Sequence, residues 1–160
     1  MHRIAIYPGT FDPPTRGHED LIRRSLSLAD QVIVAVGDNA SKQPLFSVAE
    51  RLELLRGLVG AEPRIEVTSF TGLLAEFAQA RGAHIVVRGL RVVADFEFEL
   101  QMALMNRHLN PALETVFLAP ATSLTFVSSS LVRDVARFGG DLGPLVHPDV
   151  AAALRRKFTT

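Results

Sequence analysis

Cysteine is absent from the 160 residues, so disulfides, thiolate metal sites and thiol nucleophiles are excluded. Lysine is nearly absent: of 17 basic residues only Lys42 and Lys157 are lysines. Neither sign of charge is in excess, because 17 acidic residues balance the basic ones. Broad nucleic-acid or membrane-surface binding needs a basic surplus, so neither partner is expected. A small basic pocket is not excluded. No apolar run reaches the roughly 18 residues of a membrane span. The start, Met1-His2-Arg3, leads directly into a strand-like run and not into a signal peptide. A cytoplasmic protein is expected. Familiar nucleotide signatures are missing as well. The chain has no G-x-G dinucleotide fingerprint and no Gly-Lys pair of a Walker loop. It has no G-x-S-x-G elbow and no H-E-x-x-H helix. His2, His18, His84, His108 and His147 are too scattered to suggest a metal cluster, so no metal ligands are expected from the protein.

What remains is a soluble globular composition, 48% hydrophobic and 21% charged. Strand-length apolar runs alternate with helical patterns. The strands are read at 4–7, 31–36, 65–68, 85–87 and 115–118, the second a continuous β-branched run suited to burial on both faces. Helices are read at 17–28, from a Ser47/Glu50 capping box to about 58, and at 73–80, 95–109, 129–138 and 149–158. The alternation implies an α/β Rossmann-like fold, a doubly wound five-stranded parallel sheet with helices on both faces. Connections are short and reveal no linker, so residues 1–160 read as one domain. Ligands of such sheets bind beyond the carboxyl ends of the strands.

Four segments sit where that rule looks. The first strand runs into Tyr7-Pro8-Gly9-Thr10-Phe11-Asp12-Pro13-Pro14-Thr15-Arg16-Gly17-His18. Thr15 suits a helix cap, and His18 would sit at a helix N-terminus, where an anion is favoured. Val127-Ser128-Ser129-Ser130 opens a later helix, and its three hydroxyls beside free N–H groups suggest a second phosphate site. Arg88-Gly89-Leu90-Arg91 ends the fourth strand and offers a phosphate fork. Lys42, in the loop after the second strand, offers a mobile point charge. The 95–109 helix carries apolar residues beyond one face, which suggests core plus an oligomer contact. Glu99 within it needs a partner, and Arg91 is the nearest candidate.

Taken together, these segments resemble the phosphopantetheine adenylyltransferase family along essentially the whole chain. Thr15-x-Gly17-His18 alone marks the wider nucleotidyltransferase superfamily, while Arg88-Gly89-Leu90-Arg91 and Met105-Asn106-Arg107-His108 narrow it. Phe98, where tyrosine is common, and Arg16 inside the first motif are the departures. The resemblance implies one nucleotidyltransferase domain that transfers AMP from ATP to 4′-phosphopantetheine, with Mg²⁺, usually as a homohexamer, and with coenzyme A as feedback ligand. It implies that His18 stabilises the transition state. It implies ATP contacts at Thr10, Phe11, His18, Gly89, Leu90, Arg91, Glu99 and the segment Leu124, Thr125, Phe126, Val127, Ser128, Ser129, Ser130. It implies that Thr10, Lys42, Leu74 and Arg88 hold the acceptor. The acceptor phosphate is already an anion, so positioning and charge neutralisation suffice and no general base is needed. The alternatives are a sister nucleotidyltransferase with another phosphate acceptor and a non-enzymatic nucleotide-binding module.

Overall fold

A computed structural model describes residues 1–38 and 43–159. In chain order the elements are β1 (Ile4–Gly9), α1 (Arg16–Ser25), β2 (Gln31–Gly37), α2 (Val48–Val59), β3 (Ile65–Phe70), α3 (Leu74–Ala80), β4 (Ile85–Gly89), α4 (Val93–Leu109), β5 (Glu114–Leu118), a 3₁₀ turn (Thr122–Leu124), α5 (Ser129–Arg137) and α6 (Pro148–Phe158). The expected strands are all present and parallel, in the order β3-β2-β1-β4-β5. Each runs slightly further than its apolar stretch. β1 and β4 extend to Gly9 and Gly89, which carries both loops to the edge of one crevice.

Burial explains the two-sided sheet. Val32, Val34 and Val36 of β2 pack with Leu21 and Ile22 of α1 and Leu55 and Leu58 of α2. Ile33 and Ala35 face the other way, with Ile6, Val86 and Ala75 and Ala78 of α3. Strand alternation thus fills two cores from one run of valine and isoleucine. A third cluster joins Phe46 and Val132 to Leu142, Val146, Val150 and Leu154, docking α5 and α6 beside α2. The Ser47/Glu50 capping box is formed, with both reciprocal bonds, at the start of α2.

The order places a switch at β1. The chain goes from β1 to β2 and β3 on one side, then returns to β4 and β5 on the other. Loops leaving β1 and β4 therefore diverge and leave a crevice between them. Gly89 makes the approach possible, because a Cβ there would lie 2.5 Å from Leu21 Cδ1 of α1.

Candidate active site

At this switch point lies a cleft of about 900 Å³. One wall comes from the β1 loop and the starts of α1 and α5, with Thr10, Phe11, His18, Ser128, Ser129 and Ser130. The other comes from the end of β3, α3 and α4 and is largely apolar, with Phe70, Leu74, Phe98, Met102 and Met105. Arg88, Gly89, Arg91 and Glu99 lie along the cleft, as do Leu124 and Val127. Leu90, Thr125 and Phe126 do not line it: Leu90 N–H bonds the Leu118 carbonyl, Thr125 Oγ1 donates to Thr122 and the Phe126 ring is exposed. Lys42 falls outside the described residues. The chain enters its loop from Asp38, which is on the cleft wall.

His18 is held by an unusual capping box. Thr15 is the N-cap of α1, and its hydroxyl accepts from the His18 N–H at 3.3 Å. The reciprocal bond runs from the Thr15 N–H to His18 Nδ1 at 3.0 Å, where a glutamate or glutamine would be usual. An accepting Nδ1 is unprotonated, so the ring is the neutral tautomer with its proton on Nε2. Burial, together with the charges of Arg91 and Arg88, lowers the His18 pKa to about 4. Both observations make His18 a neutral Nε2–H donor at physiological pH, and Nε2 has no partner among the described residues. Beside it, Arg16 N–H is committed to the Leu145 carbonyl at 2.8 Å. The Gly17 N–H remains without a partner among the described residues, at the positive end of the helix dipole. Tyr7, buried beneath His18, has its phenol pushed up by burial, against the pull of Arg88 and Arg91, and so stays neutral.

The start of α5 differs from the expectation of three free hydroxyls. Ser128 Oγ is the N-cap and accepts from Leu131 N–H at 3.1 Å. Ser129 Oγ donates to the Pro13 carbonyl at 2.7 Å. Ser130 Oγ accepts from Arg133 at 3.3 Å. What α5 offers an anion is its first backbone N–H groups plus the hydroxyl hydrogens of Ser128 and Ser130.

The partner expected for Glu99 is also corrected. Glu99 is buried and pairs with Arg88, not Arg91. Arg88 Nε donates to Oε2 at 2.8 Å and Nη2 to Oε1 at 2.5 Å. Nη1 also donates to the Pro8 carbonyl at 2.9 Å. Arg91 instead lies 3.6 Å from Asp95 and reaches the Val127 carbonyl at 3.3 Å. The reason is topological. Arg88 is the last inward residue of β4 and points beneath α4, whereas Arg91 lies past the strand in the loop. Arg88 keeps its charge and two N–H groups for a ligand, while Glu99 fixes the plane of the guanidinium.

Thr115 lines the cleft without having been singled out by sequence, and Tyr7 does so as the opening residue of the first motif, with no role of its own assigned. Thr115 Oγ1 is buried and has no partner among the described residues. Thr115 carries no sequence signal, since it sits in an ordinary alternating strand position. Among the described residues no three His, Asp or Glu side chains gather as a metal site. Of the three cleft carboxylates, Asp38, Asp95 and Glu99, the last two face arginines.

A cytidylyltransferase-like family model matches residues 6–135. A phosphopantetheine adenylyltransferase of Thiobacillus denitrificans is 50% identical over 153 residues, 96% of each chain. Another, from Aromatoleum aromaticum, is 52% identical over 154 residues, 96% of this chain and 94% of that one. A crystal structure of a proposed nicotinate-nucleotide adenylyltransferase from Vibrio parahaemolyticus superposes with a TM-score of 0.68 at 18% identity, covering 100% of this chain and 98% of that one. At that identity it supports the fold alone.

Proposed function

Because the chain belongs to the phosphopantetheine adenylyltransferase family, we propose that its cleft holds ATP along the α1–α5 wall and 4′-phosphopantetheine along the α3–α4 wall. The enzyme is a nucleotidyltransferase that moves AMP from ATP to 4′-phosphopantetheine, producing dephospho-coenzyme A and pyrophosphate. The observation that carries the site assignment is the neutral His18, which lines the cleft at the start of α1 with its Nε2–H unpartnered among the described residues, next to the likewise unpartnered Gly17 N–H. The unsatisfied N–H groups at the start of α5 supply a second.

The acceptor phosphate attacks the α-phosphorus in line, and pyrophosphate leaves. Negative charge builds on the α-phosphoryl oxygens, and His18 donates to them without giving up its proton. Thr10 and Phe11 lie between the two substrates. Arg88 and Lys42 hold the acceptor phosphate, and Leu74 lies along the pantetheine arm. The remaining ATP contacts are Gly89, Arg91, Glu99, Leu124 and Val127 to Ser130, without Leu90, Thr125 and Phe126, which do not line the cleft. The donor set fits Mg²⁺ carried by phosphate oxygens and water, not by a protein cage. When bound, it offsets triphosphate charge.

Residues 1–160 act as one domain, and the assembly is a homohexamer built through α4. Val93, Phe98, Leu104 and Met105 are more than half exposed on that helix, while its buried residues are Glu99 and Asn106. Coenzyme A, which contains the acceptor's arm, occupies the same cleft as a feedback ligand. No helix among the described residues is long and apolar enough to cross a membrane, and a cytoplasmic location fits the ATP requirement.

Incubation with ATP, Mg²⁺ and 4′-phosphopantetheine should yield dephospho-coenzyme A by mass. Product from nicotinamide mononucleotide or glycerol phosphate instead would assign the cleft to a sister reaction. ATP binding with no transfer to any acceptor would make it a binding module.

A further inference from the structure

Arg51 of α2 is only 2% exposed. Its hydrogen-bond partners among the described residues are all backbone carbonyls. Nε donates to Phe46 at 3.1 Å and to Ser47 at 3.3 Å, and Nη1 donates to Thr10 at 2.8 Å. Burying a guanidinium is costly unless its donors are met, and an apolar residue would pack there more cheaply. The arginine is therefore to be explained by what it holds. Its rigid fork spans two segments far apart in sequence, the loop after β1 and the approach to α2. Asp12 closes the same gap from the other side. Its carboxylate, 6% exposed, accepts from Leu45 N–H at 2.8 Å and Phe46 N–H at 2.9 Å. Phe46 is thus gripped at both ends of its backbone, by Asp12 and by Arg51.

The consequence lies at Thr10. Its carbonyl belongs to the planar peptide whose other edge is the Phe11 N–H, and in a trans peptide the two point in opposite directions. Pinning the carbonyl on Arg51 turns the Phe11 N–H away from α2. That N–H has no partner among the described residues. Phe11 itself has φ of 52°, a left-handed conformation that costs a side-chain-bearing residue about 1 kcal/mol or more. Its ring meets His18 edge-on at 5.0 Å. A loop in this conformation needs an external hold to keep one peptide orientation.

We propose that Arg51 is a positioning residue of adenylyl transfer: by holding the Thr10 carbonyl it aims the Phe11 N–H at the reacting phosphates. The inference rests on the reading that Thr10 and Phe11 lie between the substrates.

The test compares Arg51→Lys with Leu55→Ala, a cavity in the same helix at a fully buried side chain of the core cluster that includes Phe11, with no donor for the Thr10 carbonyl. Lysine keeps the charge but cannot span both segments. Arg51→Lys should lower kcat about tenfold or more, with the KM for ATP within about threefold, because misplacing reacting groups costs rate more than affinity. The Phe11 amide resonance should also lose its response to ATP. Leu55→Ala should retain kcat within about twofold, although the cavity lowers the melting temperature. If Arg51→Lys does not fold, Asp12→Asn loosens the other end of the same tie and should show the same kcat loss. Equal kcat in Leu55→Ala and the folded clasp variant, with an unchanged Phe11 response, would overturn the proposal. Thr10→Ala separates the two levels. Normal turnover there would sink the site reading itself, whereas a crippled Thr10→Ala beside a normal Arg51→Lys would sink only the role of Arg51.

Discussion

Replacing His18 by alanine removes two things that can be measured apart. The first is the Nε2–H donor to the α-phosphoryl group. Losing one preorganised donor of this kind costs about 2.7–4 kcal/mol of transition-state stabilisation, or roughly 10²–10³ in kcat. The second is the Nδ1 acceptor of the capping box, which leaves the buried Thr15 N–H unpaired and costs stability by about 1 kcal/mol. His18→Gln distinguishes them, because its amide oxygen can close the same box. Stability should largely return in the glutamine variant, while kcat stays down at least about tenfold. Turnover is read by pyrophosphate release and ATP affinity by calorimetry, and affinity should change little in either variant. The pH dependence of stability adds an independent check. The folded His18 has its pKa lowered to about 4 from an ordinary value of 6.5. Between those values the unfolded chain holds the proton and the folded chain does not. Stability is therefore complete above pH 6.5 and falls as the pH drops toward 4, by at most about 3 kcal/mol. The glutamine variant should lack that component. Near-normal kcat with ATP affinity lost would refute the catalytic role. An unchanged pH profile in His18→Gln would refute the buried neutral imidazole.

Arg88→Ala and Lys42→Ala should each weaken 4′-phosphopantetheine binding more than ATP binding by calorimetry; loss of ATP binding alone would mean the two phosphate sites are interchanged. Arg88→Ala should also lower the melting temperature, because it leaves the buried Glu99 carboxylate without its bidentate partner. Light scattering after gel filtration should find an oligomer, with six copies expected, and a monomer at micromolar concentration would refute an interface through α4. Transfer should be a single displacement: α-labelled ATP without acceptor should leave no label on denatured protein, and stoichiometric labelling would point to His18 as a nucleophile.

The parts of the fold that sequence made legible are those governed by local rules. The valine run of β2 declared a strand covered on both faces, and Ser47 with Glu50 declared the start of α2, because each depends on residues a few positions apart. Thr15 and His18 were legible for the same reason, although the histidine's own part in closing the box was not, since N3 usually carries a carboxylate or amide. What escaped was commitment between distant groups. Three serines in a row look like three free hydroxyls until Ser129 donates to Pro13 and the oxygens of Ser128 and Ser130 accept from Leu131 and Arg133, which leaves two hydroxyl hydrogens for a ligand. Arg91 looks nearer to Glu99 than Arg88 does, until the end of β4 carries Arg88 beneath α4. Arg51 is one more arginine on a helix until the return of the chain past β1 brings Thr10 to it. The α4 helix shows the converse. Its periodicity was read as two-sided, and in the single chain its large apolar residues are exposed, Phe98, Met102 and Met105 on the cleft, while Glu99 and Asn106 are buried. Burial of Glu99 needs the fixed cation of Arg88 from the same chain. Of its exposed apolar residues, Phe98 and Met105 line the cleft, while Val93 and Leu104 do not and are the positions that the proposed contact with another copy would cover. If the proposed oligomer forms through α4, the same helix both shapes the cleft and joins subunits, and Leu104→Ala on its outer face should then raise the KM for 4′-phosphopantetheine through Glu99 and Arg88.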